Sequence, residues 1–200
     1  MSVAPPTKPR ILVVCTGNVC RSPYMERVTQ QIVDEAWDPG SVEVHSAGTA
    51  ALAGRGMDPG TEEILRCAGV RTEGFKARQL VKDHVASSAL VLTATRAHRG
   101  PVASLHPRAL RYTFALGDFV HLASSLPDEK MPRTDDPAKW LSEITQGVAQ
   151  RRGLVSPRDP VEVDVTDPFR RGPEVFAQMS REVDVLRPGL ERALGGHRTR

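Results

Sequence analysis

Ile11-Leu12-Val13-Val14-Cys15-Thr16-Gly17-Asn18-Val19-Cys20-Arg21-Ser22 is the stretch whose reading decides the fold. Four apolar residues run directly into a cysteine, and after five intervening residues come an arginine and a serine. Residues 11–14 predict a buried strand and residues 16–21 a turn. Ser22, Pro23 and the periodic stretch beyond them predict a helix, since proline is tolerated in a first helical turn. Backbone N–H groups at a strand-to-helix turn lack an intrahelical partner and bind oxyanions readily. Asn18 tolerates the left-handed backbone that such a curled loop requires. Arg21 offers a planar, bidentate grip on the same anion. Groups that hold a phosphate also hold a thiolate, so Cys15 at the mouth of this nest is expected to ionise easily. A thiolate beneath a bound phosphoryl group implies attack on phosphorus.

The remaining pattern fits that beginning. Residues 24–35 read as a helix with Met25, Val28, Ile32 and Val33 on one face, and residues 42–45 as a second strand. Residues 61–67 read as a helix with Ile64 and Leu65 inward, Cys67 in the core and Gly69 as the stop. Residues 89–93 form a third strand, apolar enough to be buried on both faces, and residues 111–115 a fourth. A last amphipathic helix covers 173–194, with Pro188-Gly189 expected to kink or end it. Strands alternating with helices predict a doubly wound α/β fold: about four parallel strands, helices on both faces, and the phosphate loop between the first strand and first helix. Ligands on such sheets lie beyond the carboxyl ends of the strands, where Cys15 sits. The chain divides into a flexible lead (1–9), one domain (10–196) and a basic tail (197–200). Prolines at 127, 132, 137, 157 and 160 predict an irregular insertion over about 121–165, with room for a short helix at 140–149.

Bulk properties narrow the function. Two hundred residues suit one domain with a substantial core. A net charge of +3 and an aromatic content of 4%, with no basic stripe, argue against nucleic-acid binding. No apolar run approaches the ~20 residues of a membrane span, and no signal-peptide core opens the chain, so a cytoplasmic protein is expected. Three cysteines argue against a disulfide framework and suit a reducing compartment. No Cys/His spacing suits a metal, and the loop supplies its own positive field, so no cofactor is expected. Nothing in the sequence fixes the oligomeric state.

The string Cys15-Thr16-Gly17-Asn18-Val19-Cys20-Arg21-Ser22 resembles the phosphate loop of the bacterial low-molecular-weight protein tyrosine phosphatases. His45-Ser46-Ala47-Gly48-Thr49, Ala77-Arg78-Gln79-Leu80 and Asp167-Pro168-Phe169 are similar to further stretches of that family. The resemblance implies hydrolysis of phosphotyrosine in proteins, or of small aryl phosphates, through a phosphocysteine. It implies Cys15 as nucleophile, Arg21 with the loop residues 16–22 as phosphate ligands, and Asp167 as acid and then base. The other Asp-Pro pairs begin at Asp58, Asp136 and Asp159; only Asp167 precedes Phe169 and the last helix in the family's order. Ser22 is expected to help hold the thiolate, with helix capping as its plain alternative, and Ser46 to stand behind the loop. Leu52 and Phe169 are expected at the substrate rim, and Cys20 as a redox partner that traps oxidised Cys15 as a disulfide.

The chain departs from that family in places. Phe75 stands where a histidine behind the phosphate loop is frequent, and Thr93-Ala94-Thr95 where a Met-Asp pair is frequent. Leu52 and Arg170 replace bulkier aromatic residues, which predicts a weaker grip on phosphotyrosine. Two other readings are an arsenate reductase-like enzyme, disfavoured because residues 80–110 hold no cysteine, and a catalytically weak phosphoprotein-binding module.

Overall fold

The computed structural model describes residues 8–196; most of the predicted lead and the whole basic tail lie outside the described residues. The chain runs through β1 (Arg10–Cys15), α1 (Arg21–Ala36), β2 (Glu43–Gly48), α2 (Pro59–Cys67), α3 (Lys82–Ala86), β3 (Leu90–Thr93) and α4 (Arg99–Leu105). It continues through β4 (Thr113–Ala115), α5 (Leu116–Ser124), α6 (Pro137–Gln150), α7 (Pro160–Val163) and α8 (Pro173–Leu194).

The four strands form one parallel sheet in the order β2-β1-β3-β4. The order reverses between β1 and its neighbours, which places a topological switch point at the carboxyl end of β1. Alternation along β1 separates two cores. Ile11, Val13 and Cys15 face the larger one, with Met25 of α1, Phe119 of α5, Ile144 of α6 and Met179 of α8. Leu12 and Val14 face the smaller one, with Val85 of α3 and Val102 of α4. Both faces are therefore covered, as continuous apolar strands require.

The segment expected to be an irregular insertion holds the short helix expected at 140–149 and more order around it. Residues 121–165 carry the end of α5, all of α6 and α7. Pro137 and Pro160 open helices rather than breaking them, each preceded by an aspartate cap. On α6, Trp140, Leu141, Ile144 and Val148 are buried. Trp140 meets Trp37 edge-on at 5.8 Å, and its Nε1 donates to the Ala193 carbonyl at 2.9 Å. Pro188-Gly189 does not end α8 either. A Cβ at Gly189 would come within 2.4 Å of Val120 Cγ1, so this glycine permits the close crossing of α5 and α8. Cys67 is exposed, not core; its Sγ bonds the Glu63 carboxylate at 3.4 Å.

Candidate active site

The phosphate loop is shaped from outside by its own carbonyls. Thr49 N donates to Cys15 O at 2.9 Å, Ala50 N to Thr16 O at 3.0 Å, Leu52 N to Gly17 O at 2.9 Å and Asp58 N to Val19 O at 2.9 Å. With these carbonyls engaged by the backing strap, the loop's amides are free to converge on its centre. Close backing needs a glycine: a Cβ at Gly48 would lie 2.4 Å from the Thr16 carbonyl. Asn18 takes φ 55°, the left-handed conformation its side chain can support.

One flank of the loop is a buried polar lattice. Asn18 Nδ2 donates to Ser22 Oγ at 2.9 Å and to Ser46 Oγ at 2.8 Å, while Asn18 Oδ1 accepts from Arg78 N at 2.8 Å. Ser46 Oγ donates to the Glu26 carboxylate, and Arg78 Nε donates to Ser46 O at 2.7 Å. Cys15 Sγ lies 2.9 Å from Ser22 Oγ and accepts from Asn18 N at 3.3 Å. Ser22 is not the helix cap: α1 begins at Arg21 with Cys20 at the cap position and no side-chain cap bond. Its hydroxyl faces the sulfur instead.

The other flank is more open. Arg21, 5% exposed, donates from Nη2 to Asp167 Oδ2 at 2.7 Å and reaches Thr16 Oγ1 at 3.5 Å. Thr16 Oγ1 lies 2.9 Å from His98 Nε2, and His98 Nδ1 lies 2.7 Å from Thr95 Oγ1. Burial, helped by the Arg21 guanidinium, pushes the His98 imidazolium down to about 4, so the ring is neutral near pH 7. A cavity of about 140 Å³ opens over the loop and is lined by Cys15, Cys20, Arg21, Leu52, Asp167 and Phe169, among others. Burial pushes the Cys20 thiol up to about 12, with Asp58 and Cys15 adding to the shift. No group of three or more potential metal ligands occurs among the described residues.

The four Asp-Pro pairs now separate by geometry. Asp58, Asp136 and Asp159 each accept from the backbone N–H two residues on, at 3.1, 2.8 and 2.9 Å, and cap α2, α6 and α7. Asp167 Oδ1 accepts in the same way from Phe169 N at 3.2 Å but caps no helix, and its Oδ2 faces Arg21 and the cavity. Sequence reasoning missed Glu26, Thr95 and His98, and it gave Arg78 no role. A glutamate on a helix gives no sign that it bonds a serine 20 residues on, and a histidine in a basic run gives none of a loop 82 residues back.

A doubly wound parallel sheet with a cysteine and an arginine in a phosphate loop at its carboxyl edge defines a thiol-dependent phosphoryl-transfer enzyme. The model of the low molecular weight phosphotyrosine protein phosphatases matches residues 10–150. The chain belongs to this family and is a cysteine-dependent phosphatase. It is 33% identical over 138 residues to the probable low molecular weight protein-tyrosine-phosphatase EpsP of Ralstonia nicotianae, covering 69% of this chain and 90% of that one. It is 35% identical over 111 residues to a protein-arginine-phosphatase of Geobacillus stearothermophilus, covering 56% and 71% respectively. The crystal structure of the Erwinia amylovora tyrosine phosphatase amsI shares the fold, with a TM-score of 0.65 over 94% of each chain at 20% identity. No helix among the described residues is long and apolar enough to cross a membrane.

Proposed function

We propose that this chain hydrolyses phosphotyrosine in proteins, with Cys15, Arg21 and Asp167 as its chemical groups. Cys15 Sγ attacks phosphorus as a thiolate and the ester oxygen leaves, taking a proton from Asp167. Water then attacks the phosphocysteine while Asp167 accepts its proton, which returns the thiolate and releases phosphate. Arg21 and the amides of residues 16–22 hold the equatorial oxygens as charge moves onto them. Thr16, Gly17, Asn18, Val19, Cys20 and Ser22 are backbone ligands in this reading, and Ser22 and Ser46 keep the loop's floor in place. Because Arg21 and Asp167 are paired at 2.7 Å, a bound phosphoryl group must draw the guanidinium toward itself and leave the protonated carboxyl to the departing oxygen.

The observation that carries this reading is the convergence of Cys15, Arg21 and Asp167 on one cavity. Its walls also favour an aryl group over a guanidinium. Val19, Leu52 and Phe169 are apolar, and the only carboxylate among the described lining residues is Asp167, already engaged by Arg21. Cys67 does not line the cavity, so a third thiol for arsenate reduction is missing from it. The free thiols fit a reducing cytoplasm. A phosphotyrosyl peptide should be turned over by the native chain and not by Cys15→Ser, with a phosphoarginyl peptide and arsenate much poorer substrates. Faster turnover of either competitor contradicts the assignment.

Peroxide would convert Cys15 to a sulfenate, which Cys20 could attack to form a disulfide and release hydroxide. That step needs the Cys20 thiolate, which burial disfavours. Bridging should therefore be slow at neutral pH and faster in alkali. Mass spectrometry after mild peroxide tests this; a bridge forming as fast below neutrality as in mild alkali contradicts it.

A further inference from the structure

A second cavity, of about 200 Å³, shares no lining residue with the first. Arg96, Arg99, Asp118, His121 and Arg152 bring charged or titratable groups to it. Asp118 is the one carboxylate among its described lining residues, and Arg96 takes both of its oxygens, Nε to Oδ2 at 2.8 Å and Nη2 to Oδ1 at 2.6 Å. Arg152 is fixed without an acid partner. Its Cζ stacks 4.0 Å from the Phe114 ring centroid, and Nη1 and Nη2 each donate at 2.6 Å, to the Leu110 and Thr113 carbonyls. Arg99 has no ion pair among the described residues, and its Nε is buried without a hydrogen-bond partner. His121 Nε2 is taken up by the Ser156 carbonyl at 3.0 Å.

Two guanidinium groups thus share a partly desolvated cavity with no carboxylate left to pair them. Burial pushes the Arg152 guanidinium down to about 10, with the Arg99 charge pushing the same way and Asp118 against it. Buried like charges are tolerated where an ion of opposite sign shares the site. Guanidinium forks match tetrahedral oxyanions bidentately. We propose that this cavity is a second anion site, binding inorganic phosphate between Arg99 and Arg152. Phosphate is the chain's own product, yet the site stands on its own residues and does not depend on which monoester the catalytic loop accepts. Arg152 is the rigid member, held by ring and carbonyls, and Arg99 is the member whose guanidinium has a buried N–H still to be paired.

Crystals of the native chain soaked in tungstate, a phosphate mimic with strong anomalous scattering, test the site directly. The expected map has one peak over Cys15 and a second between Arg99 and Arg152; a peak over Cys15 alone overturns the proposal. Calorimetry with inorganic phosphate tests it in solution. Arg21→Ala weakens the catalytic loop's grip, and the binding that remains should fall at least ~10-fold when Arg99→Glu is added. Equal affinity in Arg21→Ala and in the double variant overturns the proposal. Arg99→Glu relieves repulsion in the cavity rather than removing a contact, so the variant should stay folded, as its melting temperature will show.

Discussion

The two flanks of the phosphate loop are built differently. On the Asn18 side, Ser22, Ser46, Glu26 and Arg78 form a lattice around Asn18 in which Asn18, Ser22, Ser46 and Arg78 each have more than one tie. On the Thr16 side, Thr95, His98, Thr16 and Arg21 form an open chain of bonds that ends at Asp167, whose side chain is 50% exposed. Saturated buried networks rigidify, while a half-exposed ion pair can be exchanged for a ligand. In the proposed mechanism the first flank holds the backbone that cups the anion, and the second holds the groups that move during turnover.

Substitutions on the two flanks should therefore fail in different ways. Asp167→Ala should lower kcat for aryl phosphates by roughly 10²–10⁴-fold, most for poor leaving groups, with little change in melting temperature. A near-normal rate would move the acid elsewhere. Asn18→Ala should act on stability first. It orphans buried partners at roughly 1–3 kcal/mol for each unsatisfied group, and it forces alanine into a left-handed backbone. Denaturant unfolding that matches the native chain would deny the lattice its role.

His98 tests the open flank by pH. Its folded value is near 4 while the unfolded ring titrates near 6.5, so the unfolded chain takes up the proton first as pH falls. The neutral ring's contribution is complete above about 6.5 and drains away as pH drops toward 4. His98→Gln should flatten the melting-temperature curve across that window; an unchanged slope would contradict a buried neutral histidine. The smallest effect is expected at the rim. Leu52→Phe should add about 0.5–1.5 kcal/mol of ring contact and lower KM for an aryl phosphate roughly two- to tenfold, leaving kcat nearly constant.

The contrast between flanks also explains what was legible in the chain. The loop from Cys15 to Ser22 was readable because its geometry is local: strand, turn and helix start occur in consecutive residues. The last helix, Pro173–Leu194, was readable because its apolar face repeats at helical spacing. Glu26, Thr95 and His98 were not, because their partners lie 20 to 82 residues away or form a short turn with no apolar signal. In the segment 121–165 the helix at 140–149 is legible, but the order around it is not, for a different reason. Its prolines sit at first helical positions behind Asp136 and Asp159, where they start helices, and read as a cluster they looked like breaks. The same caps explain why three Asp-Pro pairs are structural, while the fourth, held by an arginine, is the one proposed as the acid.

The account depends on a covalent bond between Cys15 and phosphorus. Mixing the native chain rapidly with an aryl phosphate, quenching in denaturant and mapping the phosphoryl group by mass spectrometry tests it most directly. The predicted result is phosphoryl on Cys15, with a burst of released phenol approaching one equivalent per chain where hydrolysis of the intermediate is slow. Aryl phosphate hydrolysis with Cys15 unmodified at every time point, and undiminished in Cys15→Ser, would contradict it.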